Sequence, residues 1–148
     1  MAGLLYLARG YELRGEFSSA VESYKKALFL DPADYRAMNN IASLYIRISS
    51  PERSIAYLEE CVKLKGDYIP ALVNLGIAKA ETGKTQEAES SFLKALSFDG
   101  SNREALFNIA VLYEKTLEFE KARGYYERLG SLGDPKGAKA LERLEGRR

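Results

Sequence analysis

Residues 69–102, IPALVNLGIAKAETGKTQEAESSFLKALSFDGSN, form a unit that recurs along the chain. Asn74 has counterparts 34 residues to either side, Asn40 and Asn108. Tyr45 lies 34 residues after Tyr11 and 68 before Tyr113, and Ala88 lies 68 after Ala20 and 34 before Ala122. A fixed period of this size marks stacked units, each too small to bury its own apolar face. Within the unit, Leu72, Leu75 and Gly76, then Ala88, Phe92 and Ala95, are separated by three or four residues. That is the stripe of an amphipathic helix, and Gly83 divides the two stripes. Each unit therefore reads as a pair of helices.

Those six residues stand at the spacing of the tetratricopeptide repeat, which the chain resembles from end to end. The first copy supplies Leu4, Leu7, Ala8, Tyr11, Ala20, Tyr24, Ala27 and Pro32. The second supplies Met38, Ile41, Ala42, Tyr45, Ser54, Leu58 and Cys61, and the fourth Leu106, Ile109, Ala110, Tyr113, Ala122, Tyr126 and Leu129. The resemblance implies an all-α fold, a right-handed α-α superhelix of four helix-turn-helix hairpins with a capping helix. As one domain over residues 1–148 it divides into 1–34, 35–68, 69–102 and 103–136, with the cap at about 135–146. Small residues, Ala8, Ala42, Gly76 and Ala110, recur where a first helix must approach its partner, and Ala20, Ser54, Ala88 and Ala122 answer them. The sequence departs from this pattern at Lys79, in place of the recurring Tyr, at Leu129, in place of Ala, and at Pro51, in place of the aromatic seen as Phe17 and Phe119.

Read in order, the first helix ends at Gly15 and the second is expected to open at Ser18 or Ser19 and stop at Asp31-Pro32. Ser49-Ser50-Pro51 supplies the second turn, a cap and a first helical residue. Gly83-Lys84-Thr85 is a third turn; it lacks the upstream glycines of a phosphate-binding loop. The fourth turn, Thr116-Leu117-Glu118, has no glycine and is expected to be the most strained. Gly124 and Gly130 lie inside the last second helix, where an interior glycine costs about 1 kcal/mol. Beyond Asp134-Pro135, Ala140, Leu141 and Leu144 repeat the pattern of Ala105, Leu106 and Ile109 shifted by one residue, then turn polar as a solvating cap.

Composition narrows the chemistry. With 22 basic and 21 acidic residues the net charge is +1, which argues against a general nucleic-acid binder. No histidine and a single cysteine exclude Cys/His zinc sites and Ser-His or Cys-His catalytic pairs, so no cofactor or metal is expected. Cys61 occupies the place of Ala27 and Ala95 and reads as a small buried side chain. The carboxylates Glu59, Glu60, Glu118 and Glu120 read as solvated surface charge, and the chain is not expected to be an enzyme. No apolar run approaches the roughly 20 residues of a membrane helix, so no direct insertion is expected. The opening Met1 to Arg9 is in phase with the first repeat, and it starts without a lead-in, a hint of residues removed upstream. A cytoplasmic location is expected, or a periplasmic or membrane-tethered one if such a segment was removed.

In the family the first helices line a concave groove, and the resemblance places the second, fifth, sixth, ninth, twelfth and thirteenth residues of each unit there. Asn40, Asn74 and Asn108 hold the sixth place, with Tyr6 breaking the ladder. A primary amide both donates and accepts, so the ladder suits an extended peptide backbone; the alternative is hydrogen bonding between repeats. Around it, Val73, Ile77, Phe107 and Val111 make one half apolar, and Arg9, Arg36 and Arg47, tempered by Glu12, make the other basic. A family variant grips the terminal carboxylate of a chaperone tail. Its basic places are filled here by Leu5, Pro70 and Asn74, or in the next register by Asn39, Glu104 and Asn108, so that variant is excluded. The expected function is a protein-interaction scaffold that binds a segment of another protein, with an apolar anchor and acidic residues. The rivals are an assembly module, with homo-oligomers possible, and the regulatory part of a longer protein.

Overall fold

The computed structural model describes residues 2–147. Its elements run α1 (Ala2–Leu13), α2 (Phe17–Leu30), α3 (Tyr35–Arg47), α4 (Pro51–Leu64), α5 (Ile69–Glu81), α6 (Thr85–Phe98), α7 (Arg103–Lys115), α8 (Phe119–Ser131) and α9 (Pro135–Glu145). Each helix packs on its neighbours in the chain, and α3 also meets α5 and α5 meets α7. First helices thus line up side by side. The architecture is the all-α superhelix of helical hairpins expected from the period.

All four hairpins turn in the same way. In each, the first residue after the left-handed position donates its N–H back five residues: Glu16 to Tyr11, Ser50 to Tyr45, Lys84 to Lys79 and Glu118 to Tyr113, at 2.8–2.9 Å. That is the Schellman closure, which requires a positive φ just before the donor. Gly15 (76°) and Gly83 (80°) meet it freely, whereas Ser49 (60°) and Leu117 (63°) adopt it against their own Cβ. The strain expected at Leu117 is therefore shared with Ser49. This closure also corrects the start of α2. Phe17, not Ser18 or Ser19, is its first residue, and Glu16 before it makes no side-chain cap. Ser50 likewise precedes α4 without capping it. The backbone turn already fixes the entry, so a side-chain cap is left to the looser entries, where Asp34, Asn102 and Asp134 accept N–H groups of α3, α7 and α9.

The small-residue contacts are closed tightly. Ala8, Ala42, Ala110, Ala20, Ser54, Ala88 and Ala122 are all fully buried. Gly76 replaces alanine because a Cβ there would meet the Phe92 ring at 2.5 Å. The glycines of the last hairpin do not break α8. Gly137 instead lets α9 close on α8, since a Cβ there would meet Gly130 N at 2.5 Å and Tyr126 O at 2.7 Å. On the cap, Ala140 and Leu144 are the buried residues and share a cluster with Leu129, while Leu141 is only half-buried.

Candidate functional site

The seam between successive first helices decides which groove residues meet solvent. Asn74 Nδ2 donates to Asn39 Oδ1 at 2.9 Å, across α3 and α5. Asn39 is 7% exposed and Val73 1%, so both must be corrected: neither is available on the groove surface. Asn39 and Val73, the fifth residues of the second and third units, point into the seam and are sealed by the next first helix, whereas Leu5 of the first unit stays half-buried. Phe107, also at a fifth place, stays half-buried because its next helix is the shifted α9. Its ring tilts against Tyr126, with centroids 6.2 Å apart, and Lys136 Nζ lies 5.0 Å above it.

Around Phe107 is an open pocket of about 490 Å³, lined also by Ile77, Arg103, Glu104, Asn108, Asp134 and Lys136. Val111 and Asn108 border a smaller adjoining recess of about 70 Å³. Asn108 Nδ2 donates to Glu104 O in its own helix at 2.8 Å. The amides of Asn74 and Asn108 are thus each partly engaged, each keeping one N–H donor and its carbonyl oxygen. Asn40 faces a second cavity of about 510 Å³ with Leu5, Tyr6, Arg9 and Tyr24, and Tyr6 is 79% exposed.

In the basic half, Glu12 tempers two of the three arginines. Arg9 and Arg47 both pair with the buried Glu12, Arg47 Nη1 at 2.6 Å from its Oε2. Arg36 stacks over Tyr35 at 5.6 Å, and among the described residues it has no carboxylate within 4.0 Å. One pairing was missed in the sequence. Tyr24 donates to Glu12, and Tyr126 donates to Glu114 at 2.7 Å; Glu114 also receives Arg143 and, at 3.9 Å, Arg147 of the cap. Glu12 and Glu114 are 102 residues apart, as are Tyr24 and Tyr126, three periods in each case. That register was the available signal. Burial first, and then the hydrogen bond to the carboxylate, hold both tyrosine hydroxyls well above their ordinary ionisation range.

Cys61 lies away from the groove, fully buried, its Sγ donating to Tyr35 O at 3.1 Å. Burial, and then Asp34, push its thiol up to about 11. Lys79 is buried between Glu59 (3.4 Å) and Glu87 (2.8 Å). Glu118 pairs with Lys121 and Glu120 with Arg123, so these carboxylates are surface ion pairs. No group of three or more metal-ligating side chains occurs among the described residues. No described helix is long and apolar enough to cross a membrane.

This arrangement resembles known proteins throughout its length. Human protein O-mannosyl-transferase TMTC2 is 34% identical over 100 residues, which are 65% of this chain and 12% of that protein. The chain thus spans about an eighth of that relative. Among solved structures, MamA superposes with a TM-score of 0.82 at 23% identity, over 89% of this chain and 72% of MamA. The first tetratricopeptide unit of Spaghetti (RPAP3), solved with an HSP90 peptide, superposes with a TM-score of 0.69 at 24% identity, over 82% of this chain and 88% of that one. The tetratricopeptide repeat model matches residues 5–68 and 73–132, the same hairpins described above, and the chain belongs to that family.

Proposed function

We propose that the concave face of α1, α3, α5 and α7 binds an extended segment of a partner protein, and that the chain acts as a non-catalytic interaction scaffold. The observation that carries this reading is the Phe107 pocket, where a half-buried aromatic ring and Ile77 lie beside the polar edge of Asn108. The RPAP3 unit, whose fold this chain shares, was solved with a peptide bound, which supports a peptide-type partner. The acidic-tail grip is not part of the proposal, because its basic places are Leu5, Pro70 and Asn74 here.

Magnitudes set the partner's chemistry. First helices about 10 Å apart put Asn40, Asn74 and Asn108 across roughly 20 Å, some six residues of extended chain at about 3.3 Å each. Hydrogen bonds of about 0.5–1.5 kcal/mol apiece cannot alone reach the ~8 kcal/mol of a micromolar complex. An apolar anchor in the Phe107 pocket supplies the remainder, flanked by Ile77 and Val111. Arg36 and Tyr6 border the other half, and acidic residues of the partner approach Arg36. Arg9 and Arg47 contribute less, since Glu12 already holds them.

A second reading, an assembly module, is favoured by Leu30, Leu64 and Phe98, exposed at 34-residue intervals on the ends of α2, α4 and α6. Isothermal titration with a captured partner peptide separates the two. Loss of binding in Phe107→Ala supports the groove. Unchanged binding there, with loss in Phe98→Lys, supports the edge.

A further inference from the structure

Lys136 and Phe107 meet although they belong to helices with different tasks. Phe107 stands on α7, in the concave face, and Lys136 on α9, which packs on the last hairpin. The Lys136 ammonium lies 5.0 Å above the Phe107 ring, and both residues line the pocket of about 490 Å³. The backbone fixes the root of the lysine side chain. Its N–H is held by Asp134 Oδ1 at 3.0 Å, and the next residue, Gly137, seats α9 directly on the backbone of α8. The ammonium therefore hangs over the ring from a rigid base.

The other charges of the pocket do not neutralise it. Arg103 is engaged where α8 turns into α9: it donates to Leu132 O at 2.6 Å and pairs with Asp134 at 3.7 Å. Glu104 and Lys136 line the same pocket, yet among the described residues neither has an oppositely charged group within 4.0 Å. An apolar side chain that packs on the Phe107 ring takes the place of the ammonium. A cation over an exposed ring is held weakly, so it can be displaced, but an ammonium crowded by a ligand and left without a partner loses its solvation. A carboxylate on a residue flanking the anchor resolves this, because it draws Lys136 off the ring and pairs with it. A basic residue at that place would instead face a like charge.

We infer that Lys136 is the specificity-determining residue of the Phe107 pocket: the pocket takes a large apolar side chain flanked by Asp or Glu, and Lys136 moves from the ring to that carboxylate. The inference rests on the groove reading above. It adds a residue from α9, outside the concave helices α1, α3, α5 and α7, and so gives α9 a part in recognition as well as in packing. It also places an acidic contact beside the anchor, separate from the one at Arg36 on α3.

The probe is a random twelve-residue peptide library, selected in parallel on the immobilised full chain and on its Lys136→Glu variant. Lys136 is exposed and the first turn of α9 holds no acidic residue, so glutamate there suits the helix N-terminus and should leave the circular dichroism spectrum unchanged. Selection on the wild type is expected to enrich Asp or Glu beside a large apolar residue, and selection on Lys136→Glu to enrich Lys or Arg at the same place. Wild-type winners, titrated by calorimetry, should bind Lys136→Glu about tenfold more weakly and lose less on Lys136→Gln. With their flanking acid changed to Gln, they should bind wild type and Lys136→Gln alike. Peptides that weaken on Phe107→Ala but show the same flanking charge preference on both selected proteins would overturn this inference and leave the groove reading standing. Peptides indifferent to Phe107→Ala would overturn both.

Discussion

Lys79 Nζ lies 2.8 Å from Glu87 Oε2, and these two residues hold the places where neighbouring repeats set a tyrosine under a cation. One repeat earlier Arg53 covers Tyr45 at 5.9 Å, and one repeat later Lys121 covers Tyr113 at 5.0 Å. The steps are 34 residues at both places, so an ion pair has replaced a cation–π contact with the cation moved to the other partner. Lys79→Tyr alone should lower the urea midpoint, because a ring then faces the Glu87 carboxylate. Lys79→Tyr with Glu87→Lys recreates the arrangement of the neighbouring repeats and should recover most of the loss. Equal midpoints for the single and double variants would show that the two places are not coupled.

The same pair shapes the acid limb. The hydrogen bond from Lys79, then its charge, hold the Glu87 carboxyl below its ordinary 4.5. A depressed carboxyl contributes stability above its unfolded value, and that stability is lost as pH falls through the lower folded value. Stability should therefore fall below about pH 4.5 in the wild type and fall less steeply in Lys79→Met, as followed by urea midpoints from pH 6 to pH 3.

The alkaline limb belongs to the tyrosines. Burial and then hydrogen bonds to Glu12, Glu89 and Glu114 raise the hydroxyls of Tyr24, Tyr113 and Tyr126 above their ordinary 10. Their stabilisation is complete below pH 10 and is lost as pH rises through the folded values. Replacing Tyr24 and Tyr126 by Phe should flatten the decline above pH 10, measured by thermal unfolding.

Two glycines, Gly137 in the cap and Gly124 in α8, should respond with opposite signs. Gly137→Ala drives a Cβ into backbone atoms of α8 and should cost about 1–3 kcal/mol, whereas Gly124, with nothing within 4 Å, should gain up to about 1 kcal/mol as alanine. Leu144→Ala, at a buried cap position, should cost about 2–5 kcal/mol. Calorimetric midpoints for the three variants check the order.

The period made the hairpins, the small-residue contacts and the buried Cys61 legible, because each depends on residue size at a repeated place. What the sequence concealed were relations between repeats. Asn39 and Val73 belong by register to the groove, yet the direct contact of α3 with α5 and of α5 with α7 seals the fifth place. Glu12 was legible as tempering the basic half, but the ion pairs of both Arg9 and Arg47 with it depend on the fold. The start of α2 was misplaced because serine is a strong cap in isolation, whereas here a backbone turn had already fixed the entry.

The central claim is that the concave face, anchored at Phe107, holds the partner. The direct measurement selects binders from a random twelve-residue peptide library on immobilised protein and titrates them against wild type, Phe107→Ala and Asn40/Asn74/Asn108→Ala. The account predicts enriched peptides with one large apolar residue near acidic ones, at least tenfold weaker on Phe107→Ala, and weakened less by any single Asn→Ala change. Enriched peptides that bind wild type and both variants with equal affinity would contradict it.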